Sequence, residues 1–347
     1  MCDGEPRYRV EQIWDGLYRD LRHPDEITNL PKKLRATLNE RAPLALDEVQ
    51  VQHADKGQTL KWLWRAHDGH QVETVLMLYP DRATVCVSSQ AGCAMACGFC
   101  ATGQAGFDRH LTTGEIVEQV VTAARAAGDR RVSNVVFMGM GEPLANFGQV
   151  WPSVERFHQD LGMSARSITV STVGLIPGIR KLTEADLPVT LAVSLHAAND
   201  RLRDDLVPIN RRYPIDALCD AMIAYRERKG RRVSLEWALI HQVNDSDRDA
   251  EELAAVARRV RAHVNLIPLN PTPGYPVRGA PPKRLYAFRD RLEELGANAT
   301  VRRTRGLEID AACGQLAARH RTDAPADQAV SLTPRARPNG SGRSASD

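Results

Sequence analysis

The chain has 347 residues, 43% hydrophobic, 5% aromatic and 26% charged, with a formal net charge of +3. That length admits one large domain with a small companion, and ordinary apolar content excludes a fibrous or wholly disordered chain. No apolar run approaches the ~20 residues of a membrane-spanning helix, and so small a net charge does not by itself announce a nucleic-acid partner.

The first residues, Met1-Cys2-Asp3-Gly4-Glu5-Pro6, lack the basic start and apolar core of a secretory signal, so a cytoplasmic protein is expected. Val10, Ile13, Trp14, Leu17 and Leu21 fall at helical spacing. Pro24 ends that helix, and Pro31 precedes a short basic helix carrying Leu34 and Leu38. A small helical unit over residues 1–45 is predicted. Residues 46–82 read as a β extension: 61–65 and 71–77 alternate around Asp68-Gly69, a hairpin signal.

From residue 83 the pattern becomes strand, helix, strand, helix. A β-branched run over 84–88 leads into a cysteine loop. Thr112-Thr113-Gly114-Glu115 is a capping box opening an amphipathic helix with Ile116, Val117, Val120, Val121 and Ala124. Strands are predicted at 135–138, 167–171, 189–194, 234–240, 264–268 and 300–303. Helices are predicted at 150–160, 177–184, 216–229, 247–261 and 282–295. About six βα units in series imply an α/β fold, a parallel sheet with right-handed crossovers closing part of a barrel over residues 83–320. Residues 321–347 are rich in Ala, Pro, Ser, Gly and Arg, and are expected to be a disordered tail.

The cysteine loop reads Cys93-Ala94-Met95-Ala96-Cys97-Gly98-Phe99-Cys100. Thiolates suit iron–sulfur iron. A four-iron cubane held by three cysteines keeps one iron open for another ligand. Zinc is the competing reading, but it takes four ligands, commonly in pairs, and only a lone histidine, His110, is at hand to complete a set. Polar residues follow the predicted strands at Gly141-Glu142-Pro143, Ser171-Thr172, Ser194-Leu195-His196 and Asn270-Pro271. In barrel folds that end of the strands collects chemistry. Basic clusters at Lys32-Lys33-Leu34-Arg35, 201–212, 226–232 and 302–305 make a phosphate-binding surface if the fold gathers them, and solvated faces if it does not.

These motifs together resemble the radical S-adenosylmethionine superfamily, and within it the RlmN and Cfr family of adenine methyltransferases. The resemblance runs over residues 10–320. It is carried by the cysteine loop, Cys86 seven positions before it, Gly139-Met140-Gly141-Glu142-Pro143, Ser171-Thr172-Val173-Gly174, Ser194-Leu195-His196-Ala197, Asn270-Pro271 and Ala311-Ala312-Cys313-Gly314-Gln315-Leu316. It implies a partial six-unit barrel whose Cys93, Cys97 and Cys100 hold a [4Fe-4S] cluster. It implies that Gly141, Glu142, Ser171, Ser194, Leu195, His196 and Asn270 bind S-adenosylmethionine, two molecules per turnover.

The resemblance further implies methylation of carbon 2 of an adenine in the peptidyl transferase centre of 23S rRNA, and of the adenine 3′ to the anticodon in tRNAs. Cys313 carries the methyl group, Cys86 releases the product through a transient disulfide, and Glu73 removes the carbon 2 proton. The N-terminal helices grip RNA. An electron donor such as flavodoxin, a monomeric state and no membrane partner complete the expectation. The alternatives are a Cfr-type carbon 8 methyltransferase and a non-catalytic metal-containing RNA-binding protein. Cys2 and Cys219 match no family position, and Cys219 reads as helix core.

Overall fold

A computed structural model of the chain describes residues 5–272 and 274–317. The expected tail over 321–347 lies outside the described residues. At the N-terminus, α1 (Arg7–Trp14) runs into a π-helical turn, Asp15–Arg19, and α2 (Lys32–Arg41) follows. Ile13, Leu34 and Leu38 bury against Ile27 and Leu30 in a small core of their own. This unit docks through Tyr18 and Leu21, which pack against the main core, and through polar contacts. Trp14 Nε1 donates to Asp160 at 3.1 Å, Arg125 Nε donates to the Leu21 carbonyl at 2.6 Å, and the Glu118 carboxylate accepts from the Ala45 and Leu46 amides.

Next come β1 (Leu46–Ala54), β2 (Thr59–Ala66), β3 (Gln71–Leu78) and β4 (Ala83–Cys86), each antiparallel to the one before. Gly69, at φ 86°, makes the turn between β2 and β3 that Asp68-Gly69 predicts. Val75 lies opposite Cys86, so the sheet passes unbroken through the boundary expected at residue 82. The β extension is an antiparallel wing of the main sheet.

The chain continues through β5 (Gln90–Gly92), α3 (Ala101–Ala105), β6 (Phe107–His110), α4 (Thr113–Ala126), β7 (Val132–Phe137), α5 (Phe147–Gln159), β8 (Ile168–Thr172) and α6 (Ile176–Glu184). It ends with β9 (Thr190–Ser194), α7 (Asp200–Leu206), α8 (Ile215–Lys229), β10 (Ser234–Leu239), α9 (Asp247–Val260), β11 (His263–Pro268), α10 (Pro282–Glu294) and β12 (Ala299–Val301). The large sheet has the order β1-β2-β3-β4-β7-β8-β9-β10-β11-β12. Every pairing from β4 to β12 is parallel, which requires a crossover between neighbours. Among the described residues β12 does not pair with β1, so the barrel is open, as the count of βα units predicts.

The main core is a contiguous cluster between the sheet and its helices, including Val85, Val135, Ile168, Leu191, Leu235 and Leu266 from successive strands. The capping box forms as read: Thr112 Oγ1 accepts from the Glu115 amide, and Glu115 Oε2 accepts from the Thr112 amide at 2.8 Å. Cys219 is fully buried on α8. The sequence pattern missed the β5–β6 hairpin, α3 and α7, all too short to show a period. Among the described residues no helix is long and apolar enough to cross a membrane.

Candidate active site

The cluster loop is pinned before it reaches its first cysteine. Gly92 ends β5 at φ 74°, and a Cβ there would run into the Gly106 carbonyl oxygen. The Cys93 amide donates to that same carbonyl at 2.6 Å, and the Cys100 amide donates to Cys97 O at 3.1 Å. Cys93, Cys97 and Cys100 thus line one wall of a cavity of about 150 Å³ at the C-terminal ends of the parallel strands. Burial pushes the Cys93 thiol up to about 12 and the Cys97 thiol well above its ordinary value, the latter helped by Cys100 and Cys93. Such thiols keep their protons until a cation takes their place.

The opposite walls are the strand ends. Gly141, at φ 100°, lies so close to Gln90 that a Cβ would sit 2.6 Å from the Gln90 Cβ. Glu142 is buried, and its two oxygens accept from the amides of Leu144 (3.0 Å) and Val173 (2.9 Å). Burial pushes its carboxyl up to about 7 against those hydrogen bonds, so near neutral pH only part of it is ionised. Ser171, Ser194, His196 and Asn270 line the same cavity. His196 holds a left-handed backbone, φ 57°, rare for a residue with a side chain. Its Nδ1 accepts from the Ala238 amide at 2.9 Å, which leaves the ring proton on Nε2. Burial, then Arg203, pushes the imidazole down to about 3, so it is neutral.

Leu195 is set back from the cavity. Its side chain is fully buried in the core, it does not line the cavity, and its amide and carbonyl are taken by Glu236 O and Arg203 Nε. It stands between Ser194 and His196, which both line the cavity. His110 also stays away: it is an exposed residue of β6 whose Nδ1 bonds to Gln90, so it does not complete a zinc set.

The Cys313 segment closes the cavity from above. Asn270 Nδ2 donates to Cys313 O (3.0 Å), Ala101 N to Gly314 O (2.8 Å), Gln315 Nε2 to Pro271 O (3.1 Å) and Thr102 Oγ1 to Leu316 O (2.6 Å). The Cys313 thiol opens onto the cavity while protein surrounds it. That desolvation raises its pKa, with Arg302 pulling the other way. Desolvation outweighs the Arg302 charge. Cys86, at the end of β4, is buried and pushed up to about 12 by desolvation and then by the charge of the neighbouring Cys313 thiol. Both are free thiols.

Glu73 does not line the cavity. It is buried on β3, where Lys61 Nζ lies 2.9 Å from Oε1 and the Ala317 amide donates to Oε2 at 2.8 Å. Lys61 also reaches Asp310 O at 3.5 Å. The Lys61–Glu73 pair therefore clasps the Cys313 segment on both flanks. Three further charged residues escaped the sequence reading. Arg203, fully buried, donates to the carbonyls of Val173, Ser194 and Leu195 and so ties two strand ends together. Arg302, read only as part of a basic cluster, faces inward, its Nε 3.8 Å from Glu236. Glu236 lies buried in the cavity wall. Each is a lone charge in an apolar or basic run, and only the tertiary fold reveals its task.

The donor set fits a cubane. Three soft thiols share one cavity wall, while among the described residues no three His, Cys, Asp or Glu are arranged to hold a single ion. A cubane takes a separate iron for each thiolate, whereas a zinc site draws its ligands to one point. A partial parallel barrel with this loop at its catalytic end defines a radical S-adenosylmethionine protein, and residues 87–254 match the Radical SAM superfamily. The chain is 51% identical over 328 residues to the probable dual-specificity RNA methyltransferase RlmN of Salinispora tropica, covering 91% of this chain and 88% of that protein. The corresponding protein of Frankia alni is 52% identical over 330 residues, covering 91% and 79%. A crystal structure of a radical SAM methyltransferase from Sphaerobacter thermophilus superposes with a TM-score of 0.89 at 52% identity, covering 91% of this chain and 94% of that one. The chain belongs to the RlmN family of radical S-adenosylmethionine proteins, and its cofactors are a [4Fe-4S] cluster and S-adenosylmethionine.

Proposed function

We propose that the chain methylates carbon 2 of an adenine in 23S rRNA and in tRNA through a methyl group carried on Cys313. The observation that carries this reading is the thiol pair: Cys313 opens onto the cavity that the three loop cysteines line, and its charge reaches the Cys86 thiol. An electron carrier or a structural metal site has no use for two further thiols within each other's electrostatic reach.

Carbon 2 of adenine bears no acidic proton and is a poor partner for plain nucleophilic methyl transfer. When bound, the cluster and cofactor supply an electron and a 5′-deoxyadenosyl radical, chemistry that the side chains lack. Cys93, Cys97 and Cys100 would hold the cluster. Glu142 would accept the cofactor's ammonium, a charge-assisted contact, and Gly141, Ser171, Ser194, the neutral His196 and Asn270 would complete its cradle. The Cys313 thiolate would take a methyl group from one S-adenosylmethionine, with S-adenosylhomocysteine leaving, and that methyl would give up one hydrogen atom to the 5′-deoxyadenosyl radical before its carbon bonds to carbon 2 of the adenine, the one surplus electron returning to the cluster. Glu73 takes the carbon 2 proton. It is held by Lys61 and the Ala317 amide, so it reaches that proton only as the Cys313 segment lifts. The Cys86 thiolate would then attack the Cys313 sulfur, forming the disulfide as the sulfur–carbon bond breaks; the electron pair stays with the released CH2 on the base, which takes up a proton to become the methyl group.

The N-terminal unit over residues 1–45 would hold RNA by its phosphates, with Lys32 and Lys33 exposed at the start of α2. A flavodoxin-like donor and a monomeric, cytoplasmic enzyme belong to the same proposal. In vitro methylation of rRNA and tRNA fragments, read by mass mapping, tests it. We expect 2-methyladenosine, and 8-methyladenosine alone would assign the chain to Cfr-type chemistry.

A further inference from the structure

Glu236 is the third residue of β10, 3% exposed, and it is the β10 residue that lines the cavity. Its Oε1 is satisfied twice, by Ser234 Oγ at 2.9 Å and Asn265 Nδ2 at 2.8 Å. Its Oε2 has no hydrogen-bond partner. The facing cation, Arg302, stops with Nε 3.8 Å away, beyond hydrogen-bond length. A buried carboxylate oxygen without a donor is costly, and in a cavity wall it marks a place where a ligand supplies the donor.

The register says which ligand group arrives there. Glu236 stands opposite Ser194 of β9 and Asn265 of β11. Ser194 lies on one side of β10, and Asn270, just past β11, on the other, both in the cavity wall. A nucleoside cradled between Ser194 and Asn270 crosses β10, on which Glu236, three residues before the strand's end, is the polar side chain lining the cavity. An ionised carboxylate only accepts, so the arriving group must donate. The ammonium of the cofactor is assigned to Glu142 at the end of β7, three strands away in the sheet order. The donors left are the adenosyl ribose hydroxyls and the adenine amino group, and the hydroxyls lie next along the molecule from the amino-acid end held at Glu142.

We infer that Glu236 Oε2 accepts a hydrogen bond from a ribose hydroxyl of the cofactor's adenosyl group. The inference rests on the reading that S-adenosylmethionine lies in this cavity. Arg302 then acts as a positioning residue, balancing the Glu236 charge without displacing the ligand.

The test is calorimetric titration of S-adenosylhomocysteine and its 2′-deoxy and 3′-deoxy forms into cluster-reconstituted wild-type and Glu236→Gln protein. The glutamine keeps the volume and an acceptor for Ser234 and Asn265, but places an amide NH2 where the free oxygen stood. For the parent ligand, Glu236→Gln should weaken binding about tenfold to a hundredfold. The deoxy form that lacks the donated hydroxyl should bind the wild type correspondingly weakly and lose nothing further in the variant. Equal losses for all three ligands, or none, would overturn the inference and leave the cofactor site standing. No binding of the parent ligand to wild type would overturn both. Weaker binding of an RNA hairpin with unchanged S-adenosylhomocysteine affinity would place the carboxylate at the target nucleotide instead, against the inference. If Glu236→Gln fails to take up iron, the wild-type series decides alone: full affinity for both deoxy forms would contradict it.

Discussion

At the scale of single residues, the site works by holding charges where water cannot reach them. Burial pushes the Glu142 carboxyl up to about 7. Its ionised form is the one that pairs with an ammonium, so cofactor affinity should climb between pH 6 and pH 8 and then level. Titration calorimetry across that range checks this, and Glu142→Gln should bind weakly with no such rise. The sign for folding is opposite. A carboxyl whose folded value is raised stabilises the fold below its unfolded value, and that contribution is lost as pH rises through about 7. Lys61 and Glu73 are both buried, so Lys61→Met strands a carboxylate. We expect it to destabilise the protein by about 3–5 kcal/mol in denaturant unfolding, with Glu73→Leu added to it recovering part of the loss. The cysteine loop was legible in the sequence because its three ligands sit within eight residues. Glu236 was not, because a single glutamate between Leu235 and Trp237 looks like any solvent-facing strand residue until the barrel turns it inward.

At the scale of elements, short connections carry the precision. The β5–β6 hairpin sets the first cluster cysteine through one carbonyl, that of Gly106. Gly92→Ala adds a Cβ against it at a left-handed position. Anaerobically reconstituted Gly92→Ala should hold much less than half the iron of wild type while its far-ultraviolet circular dichroism stays near native. The helix after that hairpin depends on its cap, and Thr112→Ala should cost about 1 kcal/mol in the same unfolding assay. Long amphipathic helices and β-branched strands were readable from their periods, and their bounds moved by only a few residues. A three-residue strand such as β5 has no period to read, and its pairing with β6 exists only because the cysteine loop folds back between them.

At the scale of the whole molecule, the parallel barrel followed from the count of βα units, while the place of residues 46–82 did not. Alternation alone shows a hairpin. Whether it stands apart or extends the sheet depends on the pairing of β3 with β4, a contact the pattern does not encode. The basic clusters show the same limit: Arg203 and Arg302 turn inward, while Lys32 and Lys33 stay on the surface. If the N-terminal unit grips phosphates, Lys32→Glu with Lys33→Glu should weaken binding of every RNA tested alike and lower the salt dependence by about two counterions, measured by fluorescence anisotropy. The central claim is that Cys313 carries the carbon and Cys86 releases it. Incubating Cys86→Ala enzyme with RNA, S-adenosylmethionine and reductant, then mapping RNA-linked peptides by mass spectrometry, tests this most directly. The account predicts a covalent RNA adduct on Cys313 that disappears when Cys313→Ala is added. Methylated RNA released freely by Cys86→Ala, with no adduct, would contradict it.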